Sequence, residues 1–78
     1  ESVRGQAYQE LIDLVAEAQK RSGLSQAEVC RRLGKSRSYF GKVLTGSRRL
    51  DVVEFFELAR AIGADPLTLL ASFEETTR

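Results

Sequence analysis

Seven basic side chains, Arg31, Arg32, Lys35, Arg37, Lys42, Arg48 and Arg49, fall within residues 22–50, where Glu28 is the only acid. That segment has a net charge of +6, while residues 1–21 carry −1 and residues 51–78 carry −4. The overall charge of +1 therefore conceals a strongly positive middle third between two acidic flanks. Cations gathered in this way make an electrostatic footprint for a polyanion. A solvated basic surface would use the same residues, and charge alone does not separate the two readings. Arginine adds one specific capability, since its guanidinium can present two donors at once to O6 and N7 of guanine, worth ~1–3 kcal/mol of discrimination.

Other chemistry is poorly supplied. The chain has no histidine and a single cysteine, Cys30, so no internal disulfide and no structural zinc site is expected. The commonest general base and the Cys–His and Ser–His nucleophile pairs are missing too. Carboxylates are present, but no pattern gathers two of them into a recognisable pocket. No enzyme activity, metal or cofactor is expected. No apolar run approaches the ~18 residues a membrane span needs, and no signal peptide is apparent, so a cytoplasmic protein without a membrane partner is expected. The chain opens on Glu1 rather than Met, as a processed or trimmed chain would.

Elements that could position the basic residues follow from periodicity and punctuation. No strand-like alternation occurs, and the pattern predicts an all-α, compact five-helix bundle forming one domain over residues 1–78, with its core in about 8–73. A first helix is predicted over Gln6 to Arg21, with Tyr8, Leu11, Ile12, Val15 and Ala18 at helical spacing. Ser25 and Glu28 read as a capping box opening a second helix that stops at Gly34. Ser36 is the predicted cap of a third helix, running to Thr45 and burying Phe40, Val43 and Leu44. Asp51 and Glu54 repeat the capping pattern for a fourth, whose apolar set is Val52, Phe55, Phe56, Ala59 and Ile62. Asp65 followed by Pro66 opens a fifth, carrying Leu67, Leu69, Leu70 and Phe73.

Gln26 to Val43 is the most informative stretch. Leu33-Gly34-Lys35 is too tight a connection for antiparallel neighbours, so the second and third helices should cross steeply, as in a helix-turn-helix. Such a crossing needs a small residue facing the turn, and Cys30 is small enough. Val29, Leu33, Phe40 and Val43 would clamp the pair onto the core. An ordinary helical hairpin would not need the small residue, the glycine four residues later and the cap two beyond it all together.

These residues make the chain resemble the Cro/repressor-type (xenobiotic-response-element) helix-turn-helix DNA-binding domains of phage and bacterial regulators. The resemblance covers residues 8 to 73. It rests on Leu24-Ser25-Gln26-Ala27-Glu28-Val29, Leu33-Gly34, Ser36-Arg37-Ser38-Tyr39-Phe40, Thr45-Gly46, and Ala59 to Leu70 with Ile62-Gly63 and Pro66-Leu67. It implies a phage-repressor-type fold and sequence-specific binding of double-stranded DNA by a transcriptional regulator, in the repressor sense, with helix 36–45 in the major groove. Carried over by position, Arg37, Ser38 and Lys42 contact bases. Gln26 touches the backbone and braces the first base reader. Ser25, Lys35, Ser36, Tyr39, Thr45, Ser47, Arg48 and Arg49 are the implied backbone contacts. Lys42 could reach guanine or only a phosphate, and Tyr39 a phosphate, a thymine methyl or a half-buried site. Arg31 and Arg32 are expected to face solvent and are left out of the site.

Three positions depart from the family pattern. Lys35 stands where an apolar residue is common, and its stem is expected to cover apolar surface. Gly41 lies inside the third helix, for which close approach to DNA or internal packing would each account. Gln19 and Leu44 replace a buried arginine–glutamate pair, removing both charges together. The resemblance further implies a homodimer on a palindromic operator, with Leu67 and Phe73 at the interface and Leu70 in the core, in a bacterial or phage-encoded, nucleoid-associated protein. An antitoxin-like or protein-interaction module on the same fold is the alternative, for which the acidic final third leaves room.

Overall fold

The computed structural model describes residues 3–78, with side chains from residue 5 onward. Among them are five α-helices in the order α1 (Val3–Ser22), α2 (Gln26–Leu33), α3 (Tyr39–Thr45), α4 (Val52–Ala61) and α5 (Pro66–Thr77). The long helix α1 sets the size of the molecule. Its 20 residues rise about 30 Å at 1.5 Å each, close to the longest dimension of 33 Å. It packs against α5 and α3, α2 packs on α3 and α4, and α4 closes against α5.

Each helix contributes to one shared core. Phe40, Ile12, Leu58, Val15, Val29, Val43 and Cys30 are all less than 2% exposed, and Phe55, Ala59, Ile62 and Leu69 join them. Ile12, Val15, Ala18 and Gln19 give α1 its buried face. The amide of Gln19 donates to the carbonyl of Leu24 at 2.6 Å, so this uncharged replacement costs no stranded polar group. No helix among the described residues is long and apolar enough to cross a membrane.

The caps explain where the helices begin and end. Gly34 adopts φ +70°, in the left-handed region where a side chain is strained. Its N–H bonds the carbonyl of Arg31, and Lys35 N–H bonds that of Cys30, which together make a Schellman ending. α4 ends the same way through Gly63 and Ala64 onto Arg60 and Ala59. Asp51 and Glu54 form the full reciprocal box at the start of α4, and Asp65 accepts from Leu67 N–H with Pro66 at the first helical turn.

Four expectations need correction. α1 begins at Val3, earlier than Gln6, because its first turn lacks the apolar spacing that marks the rest. α3 begins at Tyr39, not at Ser36. Tyr39 N–H bonds the Ser36 carbonyl, and Ser36 Oγ turns to Ser38 Oγ at 3.3 Å, so residues 36–38 form a tight approach turn rather than helix. Only half of the Ser25–Glu28 box exists: Ser25 accepts from Glu28 N–H, but the Glu28 carboxylate is drawn away by two arginines. Val52, expected in the apolar set of α4, is 73% exposed, and Leu58 fills the core instead.

Candidate nucleic-acid interface

α2 and α3 present a single surface because the turn between them is tied down at both ends. The Cys30 thiol, buried at 1% exposure, donates to the carbonyl of Arg37 across 3.7 Å. A small side chain there permits close approach, and its weak donor also anchors the turn. The contact sets the Arg37 carbonyl against α2 while the Arg37 side chain stands exposed. Arg37 shares a shallow depression with Ser25, Ala27, Glu28 and Arg31, so the start of α2 and the approach to α3 form one edge.

On α3 itself, Tyr39, Phe40 and Val43 face the core. Ser38, Gly41, Lys42 and Thr45 follow at i, i+3, i+4 and i+7 on the opposite side, where Ser38, Lys42 and Thr45 are exposed. Gln26, at the first position of α2, is also exposed.

The seven cations of the middle segment divide into two groups. Arg31 grips Glu28 through two bonds of 2.9 and 2.6 Å. Arg32 bonds the same carboxylate at 3.1 Å and the carbonyl of Ala61 at 3.3 Å, bracing α2 on α4. Hydrogen bonds from the two guanidinium groups lower the pKa of Glu28 from 4.5 to about 2. Arg48 is likewise paired with Glu54 and bonded to the carbonyl of Arg49. Among the described residues, Lys35, Arg37, Lys42 and Arg49 have no carboxylate partner.

Two tyrosines organise the loop after α3. Tyr39, expected to contact the DNA backbone, is only 8% exposed and belongs to the core, because helix-facing geometry turns its ring inward beside Phe40. Lys35 Nζ lies 5.3 Å and the Arg48 guanidinium 5.9 Å from its ring centroid, so the ring carries two cations. Tyr8 on α1 donates to the carbonyls of Val43 and Arg48, each at 3.3 Å, and Arg49 stacks 4.6 Å over its ring. Burial is the main cause that raises both phenol pKa values, favouring the neutral phenols. Thr45 and Ser47 both donate to the Lys42 carbonyl, at 3.2 and 3.3 Å, so their protons first serve the loop.

Several of these parts escaped the sequence reading. Glu28 stands three and four residues before Arg31 and Arg32, a helical spacing that foretells the pairing. The Tyr8 contacts join positions 35 and 40 residues apart, for which no local signal exists. Of the expected dimer residues, Leu67 is 64% exposed and Phe73 half-buried; six positions apart, they do not share a helical stripe. Val52 and Val53, at 73% and 66%, form a further exposed apolar edge. Leu70 packs partly against the core, as expected. No group of three or more side chains able to hold a metal ion occurs among the described residues.

Known proteins resemble this chain in sequence and in fold. The helix-turn-helix domain family matches residues 10–73. An uncharacterized HTH-type transcriptional regulator of Sinorhizobium fredii is 34% identical over 61 residues, covering 78% of this chain and 79% of its own length. Among solved structures, an XRE-family like protein from Pseudomonas syringae pv. tomato shares 41% identity at a TM-score of 0.91, over 97% of this chain and 93% of that one.

Proposed function

The chain belongs to the helix-turn-helix domain family, and from that premise we propose that it is a sequence-specific DNA-binding transcriptional regulator that lays α3 in the major groove. The Sinorhizobium fredii relative is named a transcriptional regulator, which favours a regulatory over a catalytic role. One observation carries the reading: Arg37, on the turn that the Cys30 thiol contacts, and Lys42, on the outward face of α3, are both exposed and without acidic partners.

In this reading Arg37 presents its two donors to a guanine edge, with Ser38 and Lys42 beside it and Gln26 bracing the arginine from α2. Lys35 and Arg49 meet phosphates on either side, helped by the hydroxyls of Ser25, Ser36, Thr45 and Ser47, and these contacts set register rather than sequence. One such module covers on the order of 600–1,000 Å². Pairing of two copies through α5, centred on the exposed Leu67, would set two α3 helices about 34 Å apart on a palindromic operator. Occupying an operator in this way acts as repression.

Selection of binding sites from random duplexes, followed by gel shift with wild type and Arg37→Ala, tests the proposal. The variant should lose sequence preference yet keep residual non-specific binding. Equally poor binding of all duplexes by both proteins would instead favour a protein-interaction module of the antitoxin kind. The exposed Val52, Val53 and Leu67 favour that second reading.

A further inference from the structure

Gly41 works against the helix that contains it. Glycine is the poorest helix former after proline, and α3 has only seven residues. The backbone does not require it, since Gly41 is not among the glycines with positive φ. Packing does not require it either: a Cβ at this position would meet no heavy atom within 4 Å. The chain thus keeps a costly residue at a position where its own fold leaves open room for a side chain. That room faces outward with Ser38, Lys42 and Thr45, and Lys42 and the nearby Arg37 are cations free of acidic partners.

We propose that Gly41 is an affinity determinant of the DNA interface, its bare backbone letting α3 seat against the wall of the major groove. The inference rests on the DNA-binding reading above. Hydrogen bonds from a side chain as short as that of Ser38 hold only over about 2.7–3.2 Å, so a methyl that props the helix outward breaks them. Close approach of backbone to ligand is a setting in which glycine is preferred despite its conformational cost.

The variant Gly41→Ala separates the two demands on this position. Its Tm should rise by roughly 2–6 °C, as expected for alanine replacing glycine in an unobstructed helix. Its affinity for a duplex recovered by selection with wild type should fall about ten- to hundredfold, the scale of an overpacked contact. Binding at wild-type affinity overturns the proposal while leaving the DNA-binding reading intact. A Tm that falls, or a variant that does not fold, overturns it as well, because the fold would then need the glycine. If wild type itself selects no duplex, the proposal falls together with the reading it rests on.

Discussion

Glu28 accepts from two arginines at once, and that geometry makes its ionised form matter to the fold. Its pKa falls from 4.5 to about 2, so the stabilisation it supplies is full above about pH 4.5 and is lost as the pH drops toward 2. Glu28→Gln should therefore show a shallower loss of Tm than wild type between pH 4.5 and 2, and high salt should shrink the difference, since the pair is partly open to solvent. A matching pH profile in the two proteins would show that the pair is idle. The neighbouring arginines of the loop are predicted to differ as well. Arg49 has no carboxylate to leave, whereas Arg48 is already neutralised by Glu54. Arg49→Ala should thus reduce the slope of log K against log salt by about 1, and Arg48→Ala by clearly less. Equal slopes for the two variants would place both arginines on phosphate. Residue identity alone made all seven cations look equivalent. Their pairing separates them, and of the seven only Arg31 and Arg32 had a local clue, in the spacing from Glu28.

Caps explain why such short helices hold their shape. Asp51 accepts from Glu54 N–H at 2.7 Å while Glu54 reaches back to Asp51 N–H at 3.0 Å. Asp51→Ala should cost about 1 kcal/mol, seen as a lower urea midpoint at unchanged m-value; a midpoint within error of wild type would count against the cap. The start of α4 also orients the carboxylate that holds Arg48, so the same change should loosen the loop after α3. Most element ends were legible, because Gly34, Gly63 and Asp65-Pro66 act on the backbone within one turn. The start of α3 was not. Ser36 and Ser38 are equally good caps by residue type, and what favours a later start is the Ser36 carbonyl closing on Tyr39 N–H while Tyr39 is held in the core.

The molecule is small, with a radius of gyration of 11.9 Å, near the about 11.5 Å expected for a compact chain of its length. A body this size offers the duplex one α3 helix and a few cations. With Lys35 and Arg49 on phosphates, log K should fall with log salt at a slope of about −2 per protomer; a nearly flat dependence would remove the polyanion reading. Two-fold binding further requires a face for self-association. Leu67→Lys should shift sedimentation toward the monomer and weaken binding to a two-half-site duplex more than to a single half-site. An unchanged sedimentation profile would move the interface away from α5, with the valine edge of α4 as the next surface to test.

Helix number, the helix-turn-helix unit, and the basic segment were all readable in the chain of residues, since periodicity, capping and charge act over a few neighbours. The inward turn of Tyr39, the exposure of Val52 and the binding of Arg48 by Glu54 were settled by packing. Each depends on which side of a short helix meets the core, and that is decided by contacts between segments far apart along the chain. Tyr8, holding the loop after α3 from 35 and 40 residues away, is the clearest case, for no local pattern encodes a bond that exists only once the bundle has closed.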